Sequence, residues 1–426
     1  MMSKFDAPKN VNYAATIVAV PEPVDLPGLD NLVGIPQFGY QALTTRGIVK
    51  GDLRVLFTAE TQLSAEYVFE NSLSRDKDSN KADETGYIER HRRIRAIKLR
   101  KHQSNALLMP LESLAYTGYD VSTLKPGDVF DTLNGHEICR KFELPKKQQP
   151  GQPKVKHRTT VEEKHFPQHI DTEHLFRNWG RFVEPVQAVV TQKLHGTSAR
   201  YGRVPVPRSK SWLERKIINR WFKTPDTEFG HVAGSRRVIK GQPGNQHFYS
   251  TDVWSEYGKR LEGVIPENCV VYGELVGFTP DGEAIQKGYT YNQKPGECEL
   301  FVYRVAFVNA QGVIADLSWD GVKEFCWSAG LAHAPELERI ALSQSYSDFL
   351  EDYLEINYLD VRLSEFVEFE FADRPIPLSN PKTVDEGICV RVEGVVPHIY
   401  KVKSPEFLRH ETAQLDSGEL DLESVA

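Results

Sequence analysis

Apolar and polar residues alternate with a period of two in several short segments of the first third of the chain, which predicts β-strands. The predicted strands cover residues 14–20, 53–57, 94–100 and 106–110, and residues 62–74 have the apolar spacing of a helix. Short strands, turns and one helix within this length are typical of a small, partly open barrel of the OB type. The basic residues between Arg90 and Lys101 fit two interpretations equally well, a face that binds nucleic-acid backbone or an ordinary solvated strand face.

The composition changes between residues 146 and 160, where Pro, Gln and Lys dominate and almost no residue is apolar. Such a stretch is typical of a linker. We therefore predict an OB-fold nucleic-acid-binding domain (1–145), a basic linker (146–164), a catalytic domain (165–410) and an acidic tail (411–426). The chain beyond Arg409 is expected to fray.

In the second domain, most of the predicted strands carry a charged residue that we expect to reach one common cavity. The apolar run 186–190 predicts a buried strand that leads into Lys193 and then into a turn with Gly196 and Ser198. The other predicted strands are 270–277 with Glu274, 299–308 with Phe301, 385–391 with Glu386, and 398–403 with Lys401 and Lys403 on one face.

Two segments of this domain allow more than one interpretation. The strand 299–308 is predicted to place Phe301, Tyr303, Val305 and Phe307 on one face, and such residues are more often core than a stacking platform for a base. Residues 209–224 combine tryptophans at helical spacing with Lys and Arg, which predicts a basic amphipathic helix. This helix is either a packed surface helix, which we favour, or a clamp on nucleic-acid backbone.

Composition limits the classes of function. The 426 residues carry a formal net charge of -7, so a nucleic-acid partner would have to be held by local basic patches. The 5 cysteines are scattered without C-x-x-C spacing, which argues against a disulfide framework or zinc site and fits a reducing, cytoplasmic environment. The first ten residues are polar, unlike a signal peptide, and no apolar run is long enough to span a membrane.

The chemistry is predicted from a set of short motifs taken in order. A lysine becomes a nucleophile when it is desolvated or lies beside other cations. The chain contains Lys-x-x-Gly at Lys193, Ser-Arg at Arg236, Tyr-Gly-Glu at Glu274, an aromatic strand, Glu-Gly-Ile-x-Val-Arg at Glu386 and Lys-x-Lys at Lys401. Each motif alone has an ordinary structural explanation, such as a solvated hairpin or an edge charge.

As an ordered set, these motifs resemble the covalent nucleotidyltransferase superfamily of ATP-dependent ligases and mRNA capping enzymes, over roughly residues 166–407. Within it the chain looks most like the RNA ligases with an N-terminal OB domain, because the barrel-like region precedes the lysine rather than following the last motif. The resemblance implies an α+β fold: an OB-type β-barrel followed by a nucleotidyltransferase domain of ATP-grasp-like antiparallel sheets plus helices. It also implies joining of 3′-OH and 5′-phosphate ends, through lysyl-AMP and an AMP-capped 5′ end, at nicks whose 3′-OH strand is RNA.

The resemblance assigns Lys193 as the catalytic nucleophile that attacks the α-phosphorus of ATP. The residues expected to bind the nucleotide are Gln192, Leu194, His195, Gly196, Ser198, Arg236, Glu274, Phe301, Glu386, Lys401 and Lys403. Lys401 and Lys403 would neutralise phosphate charge and favour the neutral amine of the nucleophile. Glu274 and Glu386 suit Mg²⁺, directly or through its waters, with Mn²⁺ able to substitute, and Glu274 could instead contact the ribose.

Some assignments stay open at this level. Phe301 is expected to stack on adenine, with Tyr303 as the alternative, and Arg237 or Lys240 could take the place of Arg236. His195 stands where the superfamily usually has Asp, and a neutral imidazole carries no negative charge for a metal-bound water.

The expected partners are RNA or RNA-containing duplex nicks, with no membrane, and the expected state is a monomer. The alternatives are a GTP-dependent capping-type guanylyltransferase, a DNA ligase and a non-catalytic nucleic-acid-binding protein.

Overall fold

The computed structural model describes residues 5–144, 161–214, 225–241, 249–343, 378 and 384–418. The predicted linker up to residue 160 and most of the predicted basic helix, residues 215–224, lie outside this range, so both stay predictions. The described part of the chain contains no helix that is long and apolar enough to cross a membrane. All five cysteines fall within it as free thiols, which agrees with the absence of a disulfide framework.

The N-terminal region is built mainly from β-strands. Its strands are β1 (Ala15–Ala19), β2 (Leu32–Gln37), β3 (Tyr40–Thr45), β4 (Leu53–Thr58), β5 (Thr61–Leu63), β6 (Ile97–Leu99), β7 (His102–Ser104), β8 (Ala106–Pro110), β9 (Val129–Phe130), β10 (Thr132–Leu133), β11 (His136–Glu137) and β12 (Cys139–Lys141). Six of them form one sheet in the order β2-β3-β8-β4-β1-β9, with the pairs β5–β12, β6–β7 and β10–β11 beside it. Within residues 5–144 no pairing of β2 with β9 closes the sheet, so a closed barrel is not formed.

The strands predicted at 14–20, 53–57 and 106–110 are confirmed as β1, β4 and β8. The strand predicted at 94–100 shortens to β6, whose residues are all exposed, because it pairs only with β7 in an outlying ribbon. The helix predicted at 62–74 shortens to Ala65–Glu70, because its first part belongs to β5 and Ser64 caps the helix by accepting a hydrogen bond from the Tyr67 amide.

The described residues of the second region form two sheets and three α-helices. Its strands are β13 (Glu173–His174), β14 (Val186–Lys193), β15 (Thr197–Pro207), β16 (Thr227–Gly234), β17 (Cys269–Gly277), β18 (Cys298–Val308), β19 (Ile314–Asp316), β20 (Ala332–His333), β21 (Glu336–Leu342), β22 (Gly387–Val392) and β23 (His398–Lys403); the helices are Val253–Arg260, Trp319–Ala329 and Pro405–Asp416. The sheets have the orders β13-β23-β22-β14-β21 and β16-β15-β17-β18-β19, with β20 beside β18. Together with the N-terminal region this confirms the α+β class.

The prediction of a single aromatic face on β18 is wrong. The register between β17 and β18 shifts between Tyr272 and Gly273, so that Tyr303 has no opposite residue. Such a bulge reverses the side-chain alternation beyond it. Phe301 consequently packs beside Leu194 in the turn that follows Lys193, whereas Val305 packs on the other side, in the main core.

The expectation that the chain frays beyond Arg409 is also wrong as far as Asp416. The helix Pro405–Asp416 starts with Ser404 as its cap and proline in its first turn, both of which favour helix initiation. Its Leu408 is buried against Ala59 and Ala96 of the N-terminal region. Apolar burial of this kind holds the helix in place where its acidic composition suggested a free tail.

A buried ion pair joins this C-terminal helix to the N-terminal region. Arg93 Nη1 lies 2.9 and 3.0 Å from the two oxygens of Glu60, and Arg93 also pairs with Asp416. The Thr412 hydroxyl donates to Glu60 at 3.1 Å. Burial and the neighbouring charge of Glu411 raise the pKa of Glu60 to about 7.

We expect the substitution Glu60→Gln to flatten the dependence of stability on pH. Between about pH 4.5 and 7 the folded wild type holds a proton on Glu60 that the unfolded chain releases, so its stability falls as pH rises through that window. The free energy of unfolding of the wild type should fall by on the order of 2 kcal/mol relative to the variant between pH 5 and 8. Urea unfolding at several pH values measures this difference. The exposed Glu137→Gln should follow the wild type, and parallel curves for Glu60→Gln and wild type would contradict the assignment.

Candidate active site

A cavity lies between the two sheets of the second region. Its volume is about 940 Å³, including the part open to solvent. Of the residues predicted from the sequence, those that line it are Gln192, Lys193, Leu194, Ser198, Arg236, Glu274, Phe301 and Lys401. The remaining predicted residues, His195, Gly196, Glu386 and Lys403, lie behind or beside this lining and act on it through the contacts described below.

Lys193 lies at the end of β14, with 12% of its side chain exposed. Its Nζ is 2.6 Å from Oε1 of Glu386, whose side chain is completely buried. The register explains the contact: Lys193 pairs with Gly387 of β22, and Gly387 pairs with Lys403 of β23. The amine is therefore held partly desolvated against a buried carboxylate, and the same carboxylate oxygen lies 3.9 Å from a second cation, Lys403 Nζ.

Gly387 permits this arrangement. Its φ of +141° and the space around it exclude a side chain, since a Cβ would lie 2.1 Å from the carbonyl oxygen of Val402. Lys403 Nζ lies 3.9 Å from Glu386 Oε1 and 2.8 Å from Glu411 Oε1. Lys401 and Lys403 share one face of β23, as predicted, while the alternate Tyr400 and Val402 are buried.

The opposite sheet presents its own row of side chains. Ser198 of β15 pairs with Glu274 of β17, which in turn pairs with Phe301 of β18. Glu274 accepts hydrogen bonds from the Gly196 amide at 3.2 Å and from the Ser198 hydroxyl at 3.3 Å. A Cβ on Gly196 would lie 2.2 Å from the carbonyl oxygen of Leu275, so the turn after Lys193 can approach Glu274 this closely only with glycine.

His195, at the position where an aspartate was expected, is packed among aromatic rings. Its ring meets those of Tyr289 and Phe407 edge to face, at 4.7 and 5.0 Å between centroids, and its amide donates to the Tyr291 hydroxyl at 2.8 Å. His195 Nδ1 lies 3.5 Å from Glu386 Oε2. The residue therefore positions Glu386 from behind and does not face the cavity.

The sequence left open which of the three basic residues 236, 237 and 240 contacts the nucleotide, and their positions in the structure favour one of them. Arg236 lines the cavity and pairs with Asp171 at 2.7 Å. Lys240 instead lies 3.9 Å above the ring of Trp254, and burial lowers its pKa. Arg237 borders the neighbouring cleft together with Arg236.

Several cavity residues were missed by sequence reasoning. His169 Nδ1 lies 2.6 Å from the Tyr303 hydroxyl and its ring meets Tyr272 edge to face. The Arg304 guanidinium lies 4.4 Å from the centre of the Tyr272 ring and binds Asp316. The position of Arg304 within an otherwise apolar predicted strand was the one feature of the sequence that marked it as unusual. His169 lies in a segment with no apolar periodicity, so no feature of the sequence marked it.

The structure also shows the state of two further residues that line the cavity, Gln192 and Cys389. The Gln192 amide hydrogen-bonds to the backbone of Leu378, with Leu378 N donating at 3.0 Å, so in this structure it does not point a free amide at a base. Cys389 also lines the cavity, but burial raises the pKa of its thiol to about 11, which keeps it protonated at neutral pH.

The carboxylates of Glu274 and Glu386 suit a divalent cation whose remaining ligands come from the substrate and from water. Among the described residues no three His, Cys, Asp or Glu side chains are grouped to hold a metal ion by themselves. Mg²⁺ usually binds through one or two carboxylates together with phosphate oxygens and waters. Glu274, which lines the cavity, and the fully buried Glu386 beside Lys193 offer one carboxylate each for such a site.

The comparisons with known proteins agree with this geometry. The family model described as RNA ligase matches residues 186–403, the stretch from the start of β14 to the end of β23. A search of curated protein sequences returned no match.

Solved structures of a Naegleria gruberi RNA ligase have the same fold. A variant with AMP and Mn gives a TM-score of 0.57 at 15% identity over 93% of this chain and 98% of that one. A variant with ATP and Mn gives 0.57 at 14% identity over 95% and 99%, and the ligase with PPi gives 0.55 at 15% over 94% and 98%.

Proposed function

This chain belongs to the RNA ligase family, and we propose that it is an ATP-dependent RNA ligase that joins 3′-OH and 5′-phosphate ends through an AMP adduct on Lys193. The observation that carries the proposal is the partly desolvated Lys193 amine, 2.6 Å from a buried carboxylate at the wall of the cavity between the two sheets. The Naegleria ligase structures with ATP, AMP, Mn and PPi support the same nucleotide and a divalent cation here.

In the first step Lys193 Nζ attacks the α-phosphorus of ATP. A P–N bond forms, the P–O bond to the β-phosphate breaks, and pyrophosphate leaves with the electron pair. Two protons must leave Nζ in all: the first passes to Glu386, the base within hydrogen-bond distance, and the second to solvent or the departing pyrophosphate. Lys401 and Lys403 offset the negative charge that develops on the phosphate oxygens.

The next two steps transfer the AMP and then release it. A 5′-phosphate oxygen attacks the phosphorus of lysyl-AMP, the P–N bond breaks, and Nζ regains its protons. The 3′-OH then attacks the 5′-phosphorus, loses its proton, and releases AMP. A divalent cation held by Glu386 and Glu274, directly or through water, would supply further charge neutralisation on the phosphates.

Adenine binding is assigned to Phe301, which lies beside Glu274 and lines the cavity. We expect Phe301→Leu to raise the ATP dissociation constant about 10-fold, because it removes an aromatic stacking partner while keeping apolar volume. Tyr303→Leu, which removes the ring of the alternative stacking partner, should change it little. Fluorescence or calorimetric titration with ATP measures both, and a larger effect at Tyr303 than at Phe301 would reverse the assignment.

For the substrate we propose nicks in duplexes whose 3′-OH strand ends in RNA, with the N-terminal region as an OB-type domain that binds the duplex. A second cleft, of about 2290 Å³, runs from Lys401 and Lys403 along Arg236 to Arg140 and Lys141 of the N-terminal region. Its basic residues suit contacts with phosphates.

A panel of nicked duplexes tests this substrate. Nicks with an RNA 3′-OH strand should be sealed faster than all-DNA nicks. The double substitution Arg140→Gln and Lys141→Gln should weaken nick binding about 10-fold and spare Lys193 adenylylation, since each phosphate contact carries a share of the affinity. Equal sealing of both nick types would favour a DNA ligase. An equal loss of nick binding and of Lys193 adenylylation in the double variant would contradict a duplex-binding role for Arg140 and Lys141.

A further inference from the structure

Lys403 lies between two carboxylates that belong to different parts of the fold. Its Nζ is 2.8 Å from Oε1 of Glu411 and 3.9 Å from Oε1 of Glu386. Glu386 is already the partner of Lys193, at 2.6 Å, whereas Glu411 lies on the C-terminal helix, Pro405–Asp416. Glu411 is therefore the closer of the two partners of Lys403, and it comes from outside the catalytic sheets.

The start of the C-terminal helix is tied to the residues beside Glu386. The Ser404 amide donates to the Glu386 carbonyl oxygen at 2.9 Å, and the Ser404 hydroxyl donates to the Asp385 carbonyl oxygen at 3.0 Å. The orientation of the helix and the position of Glu386 are thus set together.

The far end of the same helix is held by the N-terminal region. Arg93 donates to the Thr412 carbonyl oxygen at 3.3 Å and pairs with Asp416, and the Ala96 amide donates to the Thr412 hydroxyl at 3.1 Å. Arg93, Glu60 and Thr412 are all buried. Since Thr412 directly follows Glu411, these contacts fix the place of the Glu411 carboxylate.

A lysine side chain has many rotamers and goes to the nearest negative charge that it can reach. Without the charge of Glu411, Glu386 remains as a carboxylate 3.9 Å from Lys403 Nζ. Lys403 would then compete with Lys193 for Glu386 and would turn away from the cleft that it shares with Lys401.

We propose that Glu411 is a positioning residue that holds Lys403 off Glu386, and that the N-terminal region sets this geometry by clasping the helix that carries Glu411. The inference rests on the proposed function, because Lys403 is assigned there to the nucleotide phosphates. It adds a residue outside the matched range 186–403 and gives the N-terminal region a part in the lysine adenylylation step.

The test is a double-substitution cycle on the single-turnover rate of Lys193 adenylylation at saturating ATP. Glu411→Gln keeps the shape of the side chain and removes its charge, and it should slow the reaction about 10-fold, the effect of losing on the order of 1.4 kcal/mol. In a Lys403→Gln background the same substitution should change the rate less than about twofold, because its effect passes through Lys403. Glu411→Asp keeps the charge on a shorter side chain and should give an intermediate rate.

The control is Glu406→Gln, on the same helix, whose carboxylate pairs with Arg409 and Lys98 and touches no active-site residue. It should react like the wild type. Thermal unfolding of each variant shows that the fold is kept, and Glu411→Asp carries the test if Glu411→Gln unfolds. A wild-type rate for the Glu411 variants, or equal slowing in both backgrounds, would overturn the proposal. Failure of the wild type itself to take up AMP would instead remove the proposed function.

Discussion

Replacing Lys193 by alanine should abolish sealing of 5′-phosphate ends and leave some sealing of ends that already carry AMP. Loss of the nucleophile removes the covalent route, so the rate from ATP and a 5′-phosphate end should fall by at least about 1000-fold. Attack of the 3′-OH on an AMP-capped 5′ end needs the nucleotide cavity but forms no bond to Lys193. Gel assays on nicked substrates with a 5′-phosphate or a pre-adenylylated end separate the two steps.

The control for this prediction is Lys323→Ala. Lys323 pairs with Asp320 and Glu336 on the surface of the fold and does not line the cavity. It should seal both substrates at nearly the wild-type rate. Wild-type sealing of 5′-phosphate ends by Lys193→Ala would show that Lys193 is not the nucleophile.

The substitution Glu386→Gln should slow Lys193 adenylylation by about 100- to 10,000-fold, the range typical for loss of a catalytic base. Glutamine keeps the volume of this fully buried side chain, but it cannot accept the Lys193 proton or carry the charge that balances Lys193 and Lys403. The substitution would also weaken the binding of a divalent cation, because it removes one of the two carboxylates assigned to it. Single-turnover adenylylation followed by intact mass measures the rate, and a titration with Mg²⁺ shows whether more metal restores it.

Glu267→Gln serves as the matched control for this carboxylate. Glu267 lies on the surface with Arg203 as its partner, and its loss should leave the adenylylation rate unchanged. A Glu386→Gln variant that is folded and reacts at the wild-type rate would contradict both roles assigned to Glu386.

The common face of the two lysines of β23 was predictable from the sequence. Lys401 and Lys403 are two residues apart, so they had to share a face of β23. The pairing of Lys193 with Gly387 and of Ser198 with Glu274 was not predictable in the same way. Strand order and register depend on contacts between residues far apart in the chain, so the sequence analysis did not predict them.

Other features could not be predicted because tertiary contacts overrule local pattern. The bulge opposite Tyr303 reverses the alternation of side chains along β18 beyond it. The period-two pattern of apolar residues in the sequence continues through this point, so it could not predict the bulge. The expectation of fraying beyond Arg409 is wrong up to Asp416, because the acidic composition of this stretch hides the packing of the helix Pro405–Asp416, in which Leu408 contacts Ala59 and Ala96. His169 enters the cavity from a segment with no periodicity at all.

The central claim is that Lys193 carries AMP, and mass spectrometry of the intact wild-type protein after incubation with ATP and Mg²⁺ tests it most directly. We expect a gain equal to one AMP that peptide mapping places on Lys193, no such gain in Lys193→Ala, and no GMP adduct with GTP. A GMP adduct without an AMP adduct would identify a capping-type guanylyltransferase. A folded protein that gains neither nucleotide, or that carries AMP on another residue, would contradict the account.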